Sequence, residues 1–419
     1  MPMDRRRALA VLSGLAAAGL SGCGGETPLR IAVVWSDWEL SRFHEILAAY
    51  PHPFVVYSAG DNIAALLRNP VAQAATPDVA IVPRLGLMED PDISARLRSV
   101  PCPDPSLNFP DWPRLMDCAA DNSTKAVWFK VTHKSLVWYR RGVMPTPPSD
   151  WEAWVGLCRE RAKEHPPLAI GAADGWVLTD WFENVLLGID PELYGKLHLN
   201  PPGGWSHASV KETLLRLATL WSIPGLVPGG GRQALTTQFQ DSILDVFRYG
   251  RADMLAAPDF AWPVIDRYGS GSEALSFRFP GPPGTPKPPV LVGGDAVVAL
   301  ESGGARGTAF VKWLTDKGQA GERLKGWSTK GGFLSLNENV LYPNRAMGDL
   351  ASELHGDVAF DLSDRLTGGL AGGDGQGLWR VLTELFATVT AEGRRPDLDL
   401  AVNNAMKMLT ALSETGSSS

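Results

Sequence analysis

The sequence predicts an α/β protein of two lobes, each a sheet flanked by helices. Three observations lead there. The chain has 419 residues, long for one compact domain of roughly 100–200; strand and helix patterns alternate near its start; and two extended segments lie where a chain would pass between two bodies.

The elements follow in order. "LRIAVVWSD" is a continuous apolar run of strand type, and "WELSRFHEILAAY" continues at helical spacing. "PFVVYSAG" is a second strand, leading into the helix "DNIAALLRN", where Asp61 or Asn62 can cap. "PDVAIVPR" is a third. Strand, helix, strand, helix, strand implies a parallel sheet with right-handed crossovers, and ligands sit beyond the carboxyl ends of such strands. Those ends carry Trp35, Ser36 and Asp37, then Ser58 to Asp61, then Pro83 and Arg84.

"AVWFKVTHKSLVWYRR" is too long and too polar at its middle for one central strand, so it reads as a crossing between lobes. "WEAWVGLCRERAKEH" is a helix capped by Asp150, "PLAIGAADG" a strand and turn, and "DGWVLTDWFENVLLG" a helix. Two more helices, "SVKETLLRLATLWS" and "DSILDVFRYGRA", precede the strand and loop "DMLAAPDFAW". "SFRFPGPPGTPKPPVLVGGDAVVAL" holds two strands around a Pro/Gly-rich connector, the second crossing. The remainder is mostly helical.

The first residues read as a processing signal. "MPMDRRR" is a basic start, "ALAVLSGLAAAGL" an apolar run shorter than the ~20 residues that span a bilayer, and "LSGC" a lipobox that places a lipid on Cys23. Residues 1–22 are then a signal peptide, and the chain is expected to be exported and anchored by Cys23 to the outer face of the membrane. The net charge of −7 grows more negative once the arginines of the leader are removed, which argues against nucleic acid. In an oxidising exterior Cys102 and Cys118 can close a disulfide loop, and Cys158, at helical spacing, is expected to be a buried thiol.

No Gly-x-Ser-x-Gly, no phosphate loop, no His-Glu-x-x-His and no metal-spaced histidines are present, so neither cofactor nor metal is expected. Asp180 and Glu183, at i and i+3, are the one carboxylate pair to weigh as a glycosidase site. They point the same way from one helix, whereas glycosidase carboxylates flank a bond.

Carbohydrate binding explains the 15 tryptophans better. A sugar ring offers C–H faces to aromatic platforms and hydroxyls to Asp, Arg, Lys or His; a buried hydroxyl left unpaired costs about 1–3 kcal/mol. Stretches that place both kinds of residue together are "WSDWE", "SAGDN", "VPR", "WFKVTHK", "DGWVLTDWFE", "APDFAW", "VGGD", "WSTKGGF" and "DGQGLW". They supply Trp35, Ser36, Asp37, Asp61, Arg84, Lys130, His133, Trp176, Asp180, Asp259, Phe260, Trp262, Asp295, Lys330, Phe333 and Trp379 as candidate ligand contacts. Trp154, Trp181, Trp221 and Trp313 sit in helical patterns and read as core.

The lipobox, "LRIAVVWSD", "TPDVAIVPRLGL", "KSLVWYR", "AADGWVLTDWFENVLL", "GRADMLAAPDFAWPVI", "WSTKGGFLSLN" and "GLWRVL" occur in an order that resembles the extracellular sugar-binding lipoproteins of bacterial ABC importers, the group that includes maltose-binding protein. The resemblance implies a two-lobed periplasmic-binding-protein fold of type II joined by hinge strands. Lobe 1 would comprise 24–130 plus about 283–328, lobe 2 about 131–282 plus 329–415, with 416–419 a flexible tail. It also implies a monomer that binds a sugar between the lobes, with platforms at Trp176, Phe260 or Trp262, and Trp379, and hands it to permease subunits. Arg84 and His133 stand where maltose-binding protein has acidic residues, which opens a phosphorylated or acidic sugar as ligand. An exported carbohydrate-active enzyme is the alternative reading.

Overall fold

A computed structural model of the chain describes residues 26–68, 76–102, 121–269, 271–316, 318–337, 339–371, 375–393 and 395–415. Cys23 and Cys118 lie outside the described residues.

The first sheet grows from the apolar runs at the start. Strands β1 (Leu29–Val33), β2 (Phe54–Ser58) and β3 (Val79–Val82) are parallel, with Leu29 opposite Phe54 and Ile31 opposite Val79. Helix α1 (Asp37–Leu47) makes the first crossover, burying Phe43, Ile46 and Leu47 at helical spacing.

The segment 126–141 divides into two strands. β4 (Val127–His133) joins the first sheet and β5 (Leu136–Arg140) the second. The break at Lys134 and Ser135 is the point of passage between sheets. In the second sheet β5 lies between β6 (Met254–Ala256) and β7 (Ala274–Arg278), all antiparallel. The chain then returns through the Pro/Gly-rich connector into β8 (Val290–Leu300), which pairs antiparallel with both β3 and β4. Both passages are bonded to each other at Ser135: its Oγ accepts the Leu291 N–H (2.8 Å) and its carbonyl the Phe279 N–H (2.9 Å).

One strand departs from the expected division. The segment 329–415, assigned to lobe 2, sends β9 (Val358–Phe360) back to pair with Val290–Val292 of the first sheet. "PLAIGAADG" is not a strand either; Leu168 makes only an isolated bridge to Met254.

Helices cover the second sheet. α2 (Trp151–Arg161) starts where Asp150 Oδ1 accepts the Ala153 N–H (2.9 Å), the expected cap. α3 (Gly175–Ile189) packs with Ala208–Trp221 and Gly377–Val389, and Leu398–Thr415 packs on those two helices. Aromatic rings fill this lobe. Trp154 and Trp181 stack at 5.3 Å and 7°, and Trp221 meets Phe386 edge-on at 5.2 Å. Most of the indole surplus is core: Trp138, Trp154, Trp181, Trp205, Trp221 and Trp327 are fully buried. Cys158 is a buried free thiol, and Cys102 takes part in a disulfide.

Because the Trp154 ring is held by Trp151, Trp181, Phe277 and Phe279, Trp154→Ala is predicted to cost about 3–5 kcal/mol of stability. Denaturant unfolding measures it, and a loss below about 1 kcal/mol would show that the ring does not hold the lobe together.

Candidate functional site

The candidate residues gather along β4 and the link after it, where both sheets meet. β8 carries a register shift between Asp295 and Ala296 as it passes β4. Gly294 sits there with φ 152°, and a Cβ would run into the Lys130 carbonyl, so only glycine allows this approach. Asp295 thereby reaches Trp35, whose Nε1–H donates to Oδ2 (3.1 Å), and Lys130, at 3.8 Å. Glu39, from α1, accepts from Lys130 Nζ at 2.5 Å. Burial works against the Lys130 charge, but Glu39 and Asp295 outweigh it and raise its pKa. The ammonium lies 5.4–5.9 Å from the ring centres of Trp35, Phe260 and Trp327.

Four residues on, Lys134 donates to Asp180 of α3 (3.2 Å) and pairs with Asp361, just past β9. Its charge, disfavoured by burial, is secured by those carboxylates. Asp361 is pushed up by burial but held low overall by Lys134 and by donors from Ser363 and Asp364. Asp364 faces Arg84, and the turn after Arg84 packs on the turn holding Asp364.

Rings stand beside this cluster. Asp174, ahead of α3, accepts the Phe239 N–H (2.6 Å) and so sets Phe239 against Trp176, at 4.9 Å. Phe260 adjoins the same indole at 5.7 Å, and Trp379 packs over Gly175. Trp176, Phe260 and Trp379 are all half-buried, which leaves ring surface to cover. Asp180 lies one turn beyond Trp176 on the same helix.

Several expected contacts are enclosed by neighbouring side chains. Phe333 is fully buried, packed on Trp327 (4.9 Å) and Phe129 (5.5 Å), and is a core ring. Trp262 is 6% exposed, tilted against Trp138 and capped by Gly331, where a Cβ would strike the indole. Trp35 is buried too, edge-on to Phe43 and Trp327, and acts by holding Asp295. His133 is sealed: Glu353 meets its Nε2 at 3.2 Å and Asp259 accepts its backbone N–H at 2.8 Å. Burial lowers the His133 pKa, so the ring stays neutral at pH 7. Asp259, fully buried, is lifted by burial to about 7.

Several other candidates lie toward the surface. Ser36 and Asp37 are exposed at the end of β1, and Asp37 holds a φ of 46°, a strained value for a non-glycine. The backbone of Asp61 lies in the turn Gly60–Asn62, and Lys330 is exposed at the end of Ala320–Lys330. Glu39, Lys134, Asp361 and Asp364 escaped the sequence reading. Glu39 and Lys134 sit inside quoted stretches and carried a signal; the 361–364 turn carried none.

Glu183 does not face a substrate position. Its carboxyl accepts from Leu362 N–H (2.6 Å), Ser363 N–H (3.0 Å) and Tyr194 Oη–H (2.6 Å), tying α3 to the turn after β9. The pair Asp180 and Glu183 therefore has one structural member.

No protein-family model matches the chain. It is 26% identical over 397 residues to the osmoprotective compounds-binding protein GgtB of Synechocystis sp., covering 87% of this chain and 90% of that one. It is also 26% identical over 247 residues to the alpha-glucosides-binding periplasmic protein AglE of Rhizobium meliloti, 53% of each. Among solved structures, the bacterial solute receptor AcbH, described as exclusive for β-D-galactopyranose, superposes with a TM-score of 0.72 at 15% identity, over 93% of this chain and 98% of that one.

Lys134→Met, which keeps the chain length but strands the buried Asp361 carboxylate, is predicted to cost about 3–5 kcal/mol near pH 8. The deficit should narrow toward about pH 5 as the stranded acid takes a proton. Unfolding curves at both pH values test this; an equal loss at each would refute the ion-pair account.

Proposed function

We propose that this chain, a member of the solute-binding receptors of bacterial ABC importers, captures an uncharged mono- or oligosaccharide between its lobes and delivers it to permease subunits. The half-covered Trp176 ring carries the reading. It has Phe260 beside it and Trp379 over the preceding Gly175, with the carboxyl of Asp180 one turn along α3. A sugar face stacks on the indole while its hydroxyls meet the carboxyls. Ser36, Asp37, Asp61, Arg84, Lys130, Asp295 and Lys330 complete the candidate set, with Glu39 and Asp364 added.

Charge argues against an anionic sugar. Lys130 and Lys134 already hold carboxylates, His133 is shut away, and Arg84 stands opposite Asp364. A phosphate or uronate would enter beside the carboxyls of Glu39, Asp295 and Asp364, where the nearby Lys130 and Lys134 are already engaged. GgtB and AglE bear the names of receptors for osmoprotective compounds and alpha-glucosides, which supports a small hydroxylated solute. The chain is a receptor, not an enzyme.

Ligand shifts the balance between open and closed lobes only by its preference for the closed one. We further assign Cys23 as the lipidated residue that holds a monomeric receptor at the outer face of the membrane, and a Cys102–Cys118 disulfide. Among the described residues no helix is long and apolar enough to cross a membrane.

Calorimetric titration with galactose, maltose, trehalose and raffinose, against glucose 6-phosphate and galacturonate, is predicted to give binding only among the neutral sugars. Trp176→Ala should weaken it at least about tenfold, roughly 1.4 kcal/mol. Binding confined to the charged sugars, or unaltered by the substitution, would overturn the reading.

A further inference from the structure

Four carboxyls crowd the single Lys134 ammonium: Asp180 and Glu183 from α3, Asp361 and Asp364 from the turn after β9. Arg84 faces the cluster from the other side, beyond Asp364. Asp361 takes donors from Ser363, Asp364 and Lys134, and Glu183 from Leu362, Ser363 and Tyr194. Asp180 differs. Its Oδ1 meets Lys134 at 3.2 Å, while Oδ2, buried, has no hydrogen-bond partner.

An ionised oxygen buried with no donor is among the costliest groups a protein can hold. One ammonium also falls short of balancing four acids. A carboxylic acid at this position removes the first problem and eases the second. Its carbonyl oxygen accepts from Lys134, and its hydroxyl is left to donate to whatever enters beside Trp176.

We propose that Asp180 is a specificity-determining residue that reads the ligand as a neutral acid, donating its Oδ2 proton to an acceptor oxygen of the bound sugar. This rests on the carbohydrate-receptor reading and adds to it the direction of one hydrogen bond. A ring or glycosidic oxygen has lone pairs and no proton, so only a donor can recognise it. Burial supports the same state, lifting the carboxyl to about 7 against the pull of Lys134. The donor is present below that pH and lost as pH rises through it, so affinity should fall on the alkaline side.

Two measurements on the full chain test the assignment. The carboxyl carbon of Asp180, followed by NMR without ligand and identified by its absence in Asp180→Asn, should titrate near 7; titration near 4 overturns the proposal whether or not a sugar binds. Calorimetry with the tightest binder of the neutral panel should show the wild type weakening about tenfold between about pH 6 and 8.5. Asp180→Asn, whose amide also donates, should bind at pH 8.5 several-fold more tightly than the wild type, with the steep pH dependence gone. Asp180→Ala should be weak at both. A flat wild type with Asp180→Asn crippled would identify an ionised acceptor and defeat the proposal, leaving the receptor reading intact. Failure of every panel sugar would defeat the receptor's carbohydrate specificity and this role with it.

Discussion

The arrangement of the site depends on a buried ammonium. Lys134 lies on the two-residue link between β4 and β5, and it ties that link to Asp180 on α3 and to Asp361 beyond β9. These belong to different elements of the two sheets and their helical cover. A cation taken out of water demands such partners, and the Asp361 carboxylate, equally buried, demands the cation. The mutual requirement sets where α3 lies against the first sheet. That placement in turn decides where Trp176 stands. Glu183 reinforces the same junction by accepting backbone donors from 362 and 363.

Local pattern and distant contact divide what could be read from the chain alone. The polar middle of 126–141 marked a crossing there; the passage at 134–135 lies past the expected boundary at 130/131, because β4 stays in the first sheet to His133. Periodicity carried β1 to β3 and α1 to α3, because burial of alternating or helical faces is a short-range property. The fate of an indole is not. Trp176 and Trp262 look alike in sequence, each after a turn beside a carboxylate. Gly331, remote in the chain, closes over Trp262, while Trp176, packed against Phe239 and Phe260, keeps part of its surface uncovered. His133 reads as a polar residue facing a cleft until Glu353 arrives to seal it. Asp361 and Asp364 have only Phe360 as an aromatic neighbour in sequence, and their meeting with Lys134 is set by β9 pairing with β8.

The wealth of aromatic residues serves two ends. Stacked and edge-on indoles such as Trp154 with Trp181 make the second lobe a stiff body. Trp176, Phe260 and Trp379 stand half-covered beside it, and these are the platforms of the proposed function. A receptor that closes by moving rigid bodies needs both, since a platform that shifted with its lobe's interior would lose its register with the opposing wall.

Ser135 bears on the motion itself. Its hydroxyl and carbonyl join the outgoing passage to the returning one. Two independent strings would allow the halves to slide, shear and splay. Laced together at one residue, these two passages cannot move independently of each other. Any opening of the molecule should then follow a reproducible arc, and a solute that fits the shut state meets the same geometry at every encounter.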